Sequence, residues 1–176
     1  MIFKEETISS ERIYEGAILN LRKDKVTVKD GRTSYREIVE HNGGAALAAL
    51  TEDRKLVMVR QFRKAIERDI LEVPAGKTEK GEDPLETARR ELREETGYTA
   101  KEIRLIGKIY PSVGYTQEKI FIYLCTGLTP GETDFDENEA LDILEYDLDE
   151  LYRMALAGEI EDAKTLTAIL LVKALV

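Results

Sequence analysis

The sequence predicts an α+β fold: an α/β/α sandwich on a mixed β-sheet, preceded by a small antiparallel β region. Three observations predict it. The first third of the chain is a series of apolar-alternating runs separated by turn residues. One capped, amphipathic helix interrupts the strands near the middle. Two helical stretches close the chain, so helices are available for both faces of a sheet. The expected organisation is an N-terminal β-strand region over 1–41 and a main domain over 42–176.

Each element has a local reason. Arg12 to Leu21 and Lys25 to Lys29 read as strands, Asp30-Gly31 is a hairpin signal, and Ser34 to Glu40 alternates on its far side. Gly44 to Leu50 and Leu56 to Phe62 form an apolar pair around Glu52-Asp53-Arg54, and Ile70 to Val73 runs into Pro74-Ala75-Gly76. A helix starts next: Asp83 can cap it, Pro84 suits its first position, and Glu86 can close a capping box. Gly97 is the natural left-handed residue past its end. Strands are expected near Ile103 to Tyr110, Lys119 to Cys125 and Asp142 to Tyr146. Leu148 to Ala157 and Ala163 to Ala174 read as helices with Gly158 between them. Leu166, Ile169, Leu170 and Lys173 give the last one a face for the sheet or for a dimer surface.

Composition narrows the class. With 176 residues the chain supports one domain with a real core and a small extension. A formal net charge of −9 argues against nucleic-acid or anionic-membrane binding. The single cysteine rules out an intramolecular disulfide and fits a reducing cytoplasm, the expected location. The start MIFKEETISS has no basic segment followed by an apolar one, so no secretory signal is expected. No apolar run approaches the length of a membrane span.

The chemistry concentrates between Gly76 and Tyr98, which reads GKTEKGEDPLETARRELREETGY. Leu85, Ala88 and Leu92 recur at helical spacing and form one apolar stripe. Glu91, Glu94 and Glu95 lie at i, i+3 and i+4, so their carboxylates share a different face. Two carboxylates about 5 Å apart repel by roughly 3 kcal/mol at an effective dielectric near 20. Arg90, four residues before Glu94, can orient one of them but cannot neutralise the cluster. A hard divalent cation can, and Mg²⁺ or Mn²⁺ is the usual choice where phosphate is the substrate. The plain alternative is a solvated helix face laced with salt bridges.

Gly76, Glu82, Arg90, Glu91, Glu94, Glu95 and Gly97 follow G-x5-E-x7-R-E-apolar-x-E-E-x-G-apolar, which resembles the Nudix box of hydrolases that cleave nucleoside diphosphates linked to another group. The flanking segments REIVEH, VRQFR, LEVPAGK, PSVGYTQEK, DENEALD and GEIEDAKT are similar to the ADP-ribose pyrophosphatase branch. The resemblance implies metal ligands at Glu91 and Glu95, with Glu94 nearby and the backbone carbonyl of Ala75, holding two or three cations. Gly76, Glu82 and Gly97 are implied as structural positions of the box, and Glu79 as a residue shaping the site. Arg63 matches a phosphate-contacting arginine, a task that suits a planar, permanently charged guanidinium. Ser112, Gly114 and Glu118 match a loop gripping the terminal ribose. Glu37 matches a residue at the adenine that reaches across from a partner subunit in a homodimer with exchanged N-terminal strands, and Ile18 could pack against the base.

The implied reaction is metal-assisted hydrolysis of ADP-ribose to AMP and ribose 5-phosphate. Its general base is a loop glutamate, Glu139 or Glu137, or else Glu95. Val113 stands where the branch usually carries proline, which keeps another nucleotide sugar or a dinucleotide open as substrate. A non-catalytic nucleotide-sensing module is a third reading, and the intact glutamate set speaks against it. His41, the only histidine, reads as a strand-end residue, and Cys125 as core. The acidic stretch Asp134, Asp136, Glu137 and Glu139 is as compatible with ordinary solvation as with a role in the site.

Overall fold

The computed structural model describes residues 2–135 and 141–176. The chain divides into two compact units, the first made of 1–43 and 110–119 and the second of 44–109 and 120–176.

The first unit is an antiparallel sheet of β1 (Thr7–Glu15), β2 (Asn20–Thr27) and β3 (Thr33–Glu40), in that order. The strand expected from Arg12 to Leu21 is therefore two strands. The Gly16 N–H donates to Leu19 O at 3.1 Å and to Asn20 Oδ1 at 3.3 Å, which closes a turn and sets Asn20 opposite Glu15. The Asp30-Gly31 hairpin is present, with Gly31 at φ +81° inside a turn closed by Val28 N–H to Arg32 O at 2.9 Å. β1 is exposed along its whole length, including Ile8, Ile13 and Tyr14. Segment 110–119 hangs from β3 at one residue: Val39 donates to Tyr115 O at 2.8 Å and accepts from Gln117 N–H at 3.2 Å.

The second unit runs β4 (Gly44–Ala49), β5 (Lys55–Arg63), β6 (Arg68–Glu72), β7 (Ala75–Lys77), α1 (Pro84–Thr96), β8 (Thr99–Ile109), β9 (Ile120–Thr129), β10 (Asp142–Asp147), α2 (Leu148–Leu156) and α3 (Ala163–Leu175). One sheet is mixed, in the order β7-β4-β9-β8, with β4 and β9 parallel. The other is antiparallel, in the order β10-β5-β6. β7 had no separate expectation. It arises because Pro74, which has no N–H to give a ladder, ends β6, while its carbonyl accepts from Leu47 N–H at 2.8 Å and delivers the next three residues to β4.

β4 is the axis of this unit. All six of its residues are buried, and side chains alternate between two cores. Ala45, Leu47 and Ala49 face Ala88 and Leu92 of α1, together with Tyr123 and Cys125 of β9. Ala46 and Ala48, followed by Leu50, face Leu148 and Leu151 of α2 and Ala168, Ile169 and Val172 of α3. Helices thus cover both faces, as a sandwich requires. On α3, Ile169 is buried and Leu166 packs at the core edge, whereas Leu170 points outward at 39% exposure. Cys125 is core, and burial pushes its thiol pKa up to about 12. Among the described residues no helix is long and apolar enough to cross a membrane.

Leu47 is fully buried between α1 and the sheet. Leu47→Ala is expected to lower unfolding free energy by about 2–5 kcal/mol in denaturant titrations, since neighbouring alanines cannot expand into the cavity. A loss under about 1 kcal/mol would show that this core relaxes around the deletion.

Candidate active site

α1 forms where its caps and stripe direct it. Asp83 accepts from Leu85 N–H at 2.9 Å, Pro84 opens the helix, and Gly97 closes it at φ +72° with its N–H on Arg93 O at 2.8 Å. Glu86 pairs with Arg89 at 3.5 Å in place of the expected capping box. Burying Ala88 and Leu92 turns Glu91 and Glu95 inward, where both are buried despite their charge.

Those two carboxylates meet the backbone of β7. Glu95 Oε2 accepts from Ala75 N–H at 2.9 Å. Glu91 lies against Gly76 so closely that a Cβ there would sit 1.8 Å from its Cδ. Glycine is required at this point by contact, because any side chain would occupy the volume that the carboxylate fills. The strand and the helix therefore place backbone and two buried carboxylates at one point, with hard oxygen donors of the kind Mg²⁺ and Mn²⁺ prefer. The residues present fit such an ion.

Arg90 does more than orient one carboxylate. Its Nη1 lies 2.7 Å from Glu91 and 3.0 Å from Glu94, its Nε lies 3.4 Å from Glu82, and its Nη2 donates to Lys77 O at 3.3 Å. Desolvation works against its charge, but hydrogen bonds to Glu82 and Glu94 and the charge of Glu91 outweigh it and raise its pKa. Spacing along one helix exposed only the Arg90–Glu94 pair. Contact with Glu82 depends on the loop before the helix folding back. There Glu82 accepts from Glu79 N–H at 2.9 Å and from Thr87 Oγ1 at 2.9 Å. The Glu79 amide, ahead of Arg90 and Thr87, holds the Glu82 carboxyl below its usual range. Among the described residues, no three metal-ligating side chains converge on one point.

Arg63, at the end of β5, is held by a residue that no sequence pattern singles out. Its Nε and Nη2 donate in parallel to the two oxygens of Glu72 at 2.6 and 2.8 Å. Glu72 is 2% exposed, ends β6, and also accepts from Lys164 Nζ. Lys164 in turn pairs with Asp162 at 3.0 Å. Burial works to raise the Glu72 pKa, but the hydrogen bond from Arg63 and the charge of Lys164 outweigh it and hold the carboxyl below its usual range. The only sequence signal for this cluster was charge within apolar surroundings, in LEVPAGK and EDAKT.

The other expected residues distribute as follows. Glu79 is exposed beside the Glu82 turn. Ile18, Glu37, Ser112, Gly114 and Glu118 belong to the first unit. Within it, the Ser112 carbonyl accepts from Thr116 N–H at 3.1 Å, Gly114 stands in open space, and Glu118 lies 3.6 Å from His41 Nδ1. Ile18 is 62% exposed and Glu37 is exposed on β3. Glu139 and Glu137 lie outside the described residues.

Comparison with known proteins gives a consistent picture. Residues 41–169 match the NUDIX domain model, and residues 5–39 match the nucleoside diphosphate sugar hydrolase N-terminal domain. The chain is 43% identical over 168 residues to the ADP-ribose pyrophosphatase of Bacillus subtilis (strain 168), covering 94% of this chain and 91% of the relative. It is also 43% identical over 170 residues to the methanol dehydrogenase activator of Bacillus methanolicus, covering 96% and 92%. The crystal structure of an ADP compounds hydrolase superposes with a TM-score of 0.86 at 21% identity, covering 99% of this chain and 95% of that one, which establishes the likeness of fold.

Gly76→Ala is expected to destabilise the metal-free protein by about 1–3 kcal/mol in denaturant unfolding, since helix or strand must move to admit the methyl group. Wild-type stability would mean that Glu91 swings aside freely. Glu72 supplies a pH test. Its folded pKa is lowered, so its stabilisation is full above the unfolded value of about 4.3 and is lost as pH falls through the folded value. The stability gap between wild type and Glu72→Gln should be widest near neutrality and close in acid. A gap independent of pH would show that the carboxylate charge is not what matters.

Proposed function

The chain belongs to the Nudix family, and from that premise we propose that it is a hydrolase of the pyrophosphate bond of ADP-ribose, yielding AMP and ribose 5-phosphate. One observation supports this above the rest: the buried carboxylates of Glu91 and Glu95 lie on the β7 backbone at the point where Gly76 leaves room for them. The named activity of the Bacillus subtilis relative supplies the substrate.

Glu91, Glu95 and Glu94, with the Ala75 carbonyl, would hold two or three Mg²⁺ ions, or Mn²⁺ in their place. Such cations would supply neutralising charge for the diphosphate oxygens and a more acidic water. Arg90 and Glu82 position these acids, and Gly97 ends α1 so that Glu94 and Glu95 stay on its last turn. Arg63 binds the phosphates through charge-assisted hydrogen bonds from the guanidinium edge that Glu72 does not engage. A carboxylate removes the proton from the attacking water, and Glu139, Glu137 and Glu95 are the groups suited to it. Ser112, Gly114 and Glu118 grip the terminal ribose, and Ile18 and Glu37 receive the adenine.

The functional form is a homodimer with exchanged N-terminal strands, to which the fully exposed β1 lends support, because a second copy would cover Ile8, Ile13 and Tyr14. The expected setting is the cytoplasm, consistent with a chain whose single cysteine can form no intramolecular disulfide. Two observations favour a second reading, in which another nucleotide sugar or a dinucleotide is the substrate. Val113 stands 83% exposed in the loop that would meet the sugar. The Bacillus methanolicus relative, equally similar, carries a different name.

The test is product analysis with ADP-ribose, other ADP-sugars and dinucleotides, with Mg²⁺ and with chelator. AMP and ribose 5-phosphate in equal amounts, formed only with the cation and fastest from ADP-ribose, are the expected result. Glu95→Gln should lower kcat by at least about 100-fold while unfolding as a normal folded protein. Turnover unaffected by chelator, or an active Glu95→Gln, would overturn the assignment.

A further inference from the structure

We propose that Lys164 is a positioning residue of this site: acting through Glu72, it fixes the Arg63 guanidinium so that the edge left by Glu72 is presented to the substrate's diphosphate. The inference rests on reading Arg63 as the phosphate-binding residue.

Lys164 occupies the first turn of α3, where the helix dipole disfavours a cation. Its side chain is 11% exposed, so a long, flexible chain has been ordered there against its rotamer entropy. Both penalties are offset by two carboxylates: Glu72 and Asp162 receive the ammonium together. Glu72 is nearly inaccessible and its two oxygens engage Nε and Nη2 of Arg63 in parallel, which fixes the plane and the direction of the guanidinium. The Arg63 side chain nevertheless stays 43% exposed. A cation locked from behind and open in front suits an anion that must be held in one orientation.

Charge explains why a second cation is needed. Arg63, Lys164, Glu72 and Asp162 sum to zero, so Glu72 is shared and Arg63 retains attraction for an anion. Without Lys164 the same cluster carries one negative charge and repels a diphosphate. A second link keeps the geometry in register. Thr165 Oγ1 accepts from Val73 N–H at 2.9 Å and donates to Asp162 at 2.6 Å, so α3 is tied to consecutive residues, Glu72 and Val73.

The experiment measures KM and kcat for Mg²⁺-dependent ADP-ribose hydrolysis in wild type, Lys164→Met, Lys164→Arg, Arg63→Ala and the Arg63→Ala/Lys164→Met double variant, with thermal unfolding in parallel. Lys164→Met should raise KM about tenfold with kcat changed less than about threefold, because orientation and charge in the bound state are what it loses. Lys164→Arg should recover most of that KM, and in the Arg63→Ala background Lys164→Met should add little. If Lys164→Met does not fold, Lys164→Gln carries the same expectation. An impaired Arg63→Ala beside an unaffected Lys164→Met overturns the inference alone. So does an undiminished Lys164→Met effect without Arg63. A wild-type KM in Arg63→Ala overturns the phosphate-binding reading and the inference with it.

Discussion

The contact between the Glu91 carboxylate and the bare backbone of Gly76 sets the distance between α1 and β7, and with it the shape of the whole acidic site. A Cβ at Gly76 would fall inside the carboxylate. The same economy of volume continues inward. A Cβ at Gly44 would lie 2.7 Å from the Gly76 carbonyl, and the next residues of β4 are Ala45 and Ala46. With glycine and alanine at five of the six positions of β4, and Leu47 filling the space towards α1, helices cover both faces of the strand. The helix is thus anchored through Leu92 and Ala88 on its apolar side, and its acidic side has no choice but to face the strand. Burial that would be unfavourable for isolated carboxylates follows from apolar packing a few ångströms away.

The parts of this arrangement written in local sequence are legible from residue order alone. Asp83, Pro84 and Gly97 mark both ends of α1, Asp30-Gly31 marks a hairpin, and the strands after the helix fall close to their expected positions. What escapes is non-local. The break at Gly16 to Leu19 depends on Asn20 reaching back to an amide, which the apolar run through Ile18 and Leu19 masks. β7 has three residues and exists only because β4 accepts them. Spacing along α1 shows Arg90 beside Glu94, but its contact with Glu82 requires a loop that closes on Glu79. Glu72 and Lys164 are 92 residues apart. No periodicity links them, so the carboxylate behind Arg63 cannot be found from pattern. For the first-unit residues proposed to meet ribose and adenine, resemblance is the only guide, because an exposed Ile18 or an unhindered Gly114 has no local signature.

A protein of net charge −9 that acts on a diphosphate must create local attraction against its own field. Two solutions of different kind are visible. Around Arg90 the acids Glu82, Glu91 and Glu94 outnumber Arg90 and Arg93, so the cluster stays negative. That imbalance favours a cation over an anion, in keeping with the proposed metal ligands. In the ion-paired cluster of Arg63, Lys164, Glu72 and Asp162 the bases equal the acids, and one base is partly exposed. That balance leaves room for an anion. Both clusters belong to the second unit, and both are reached through the short segment from Glu72 to Gly76, whose two ends touch Arg63 and Glu91. Five residues of chain therefore carry the carboxylate that holds Arg63, the proposed phosphate-binding cation, and the glycine that admits Glu91, the first acid of the proposed metal site. Any displacement of that segment would move the Glu72 carboxylate and the Gly76 backbone together, and its backbone is pinned to α3 at Val73 and to β4 at Pro74.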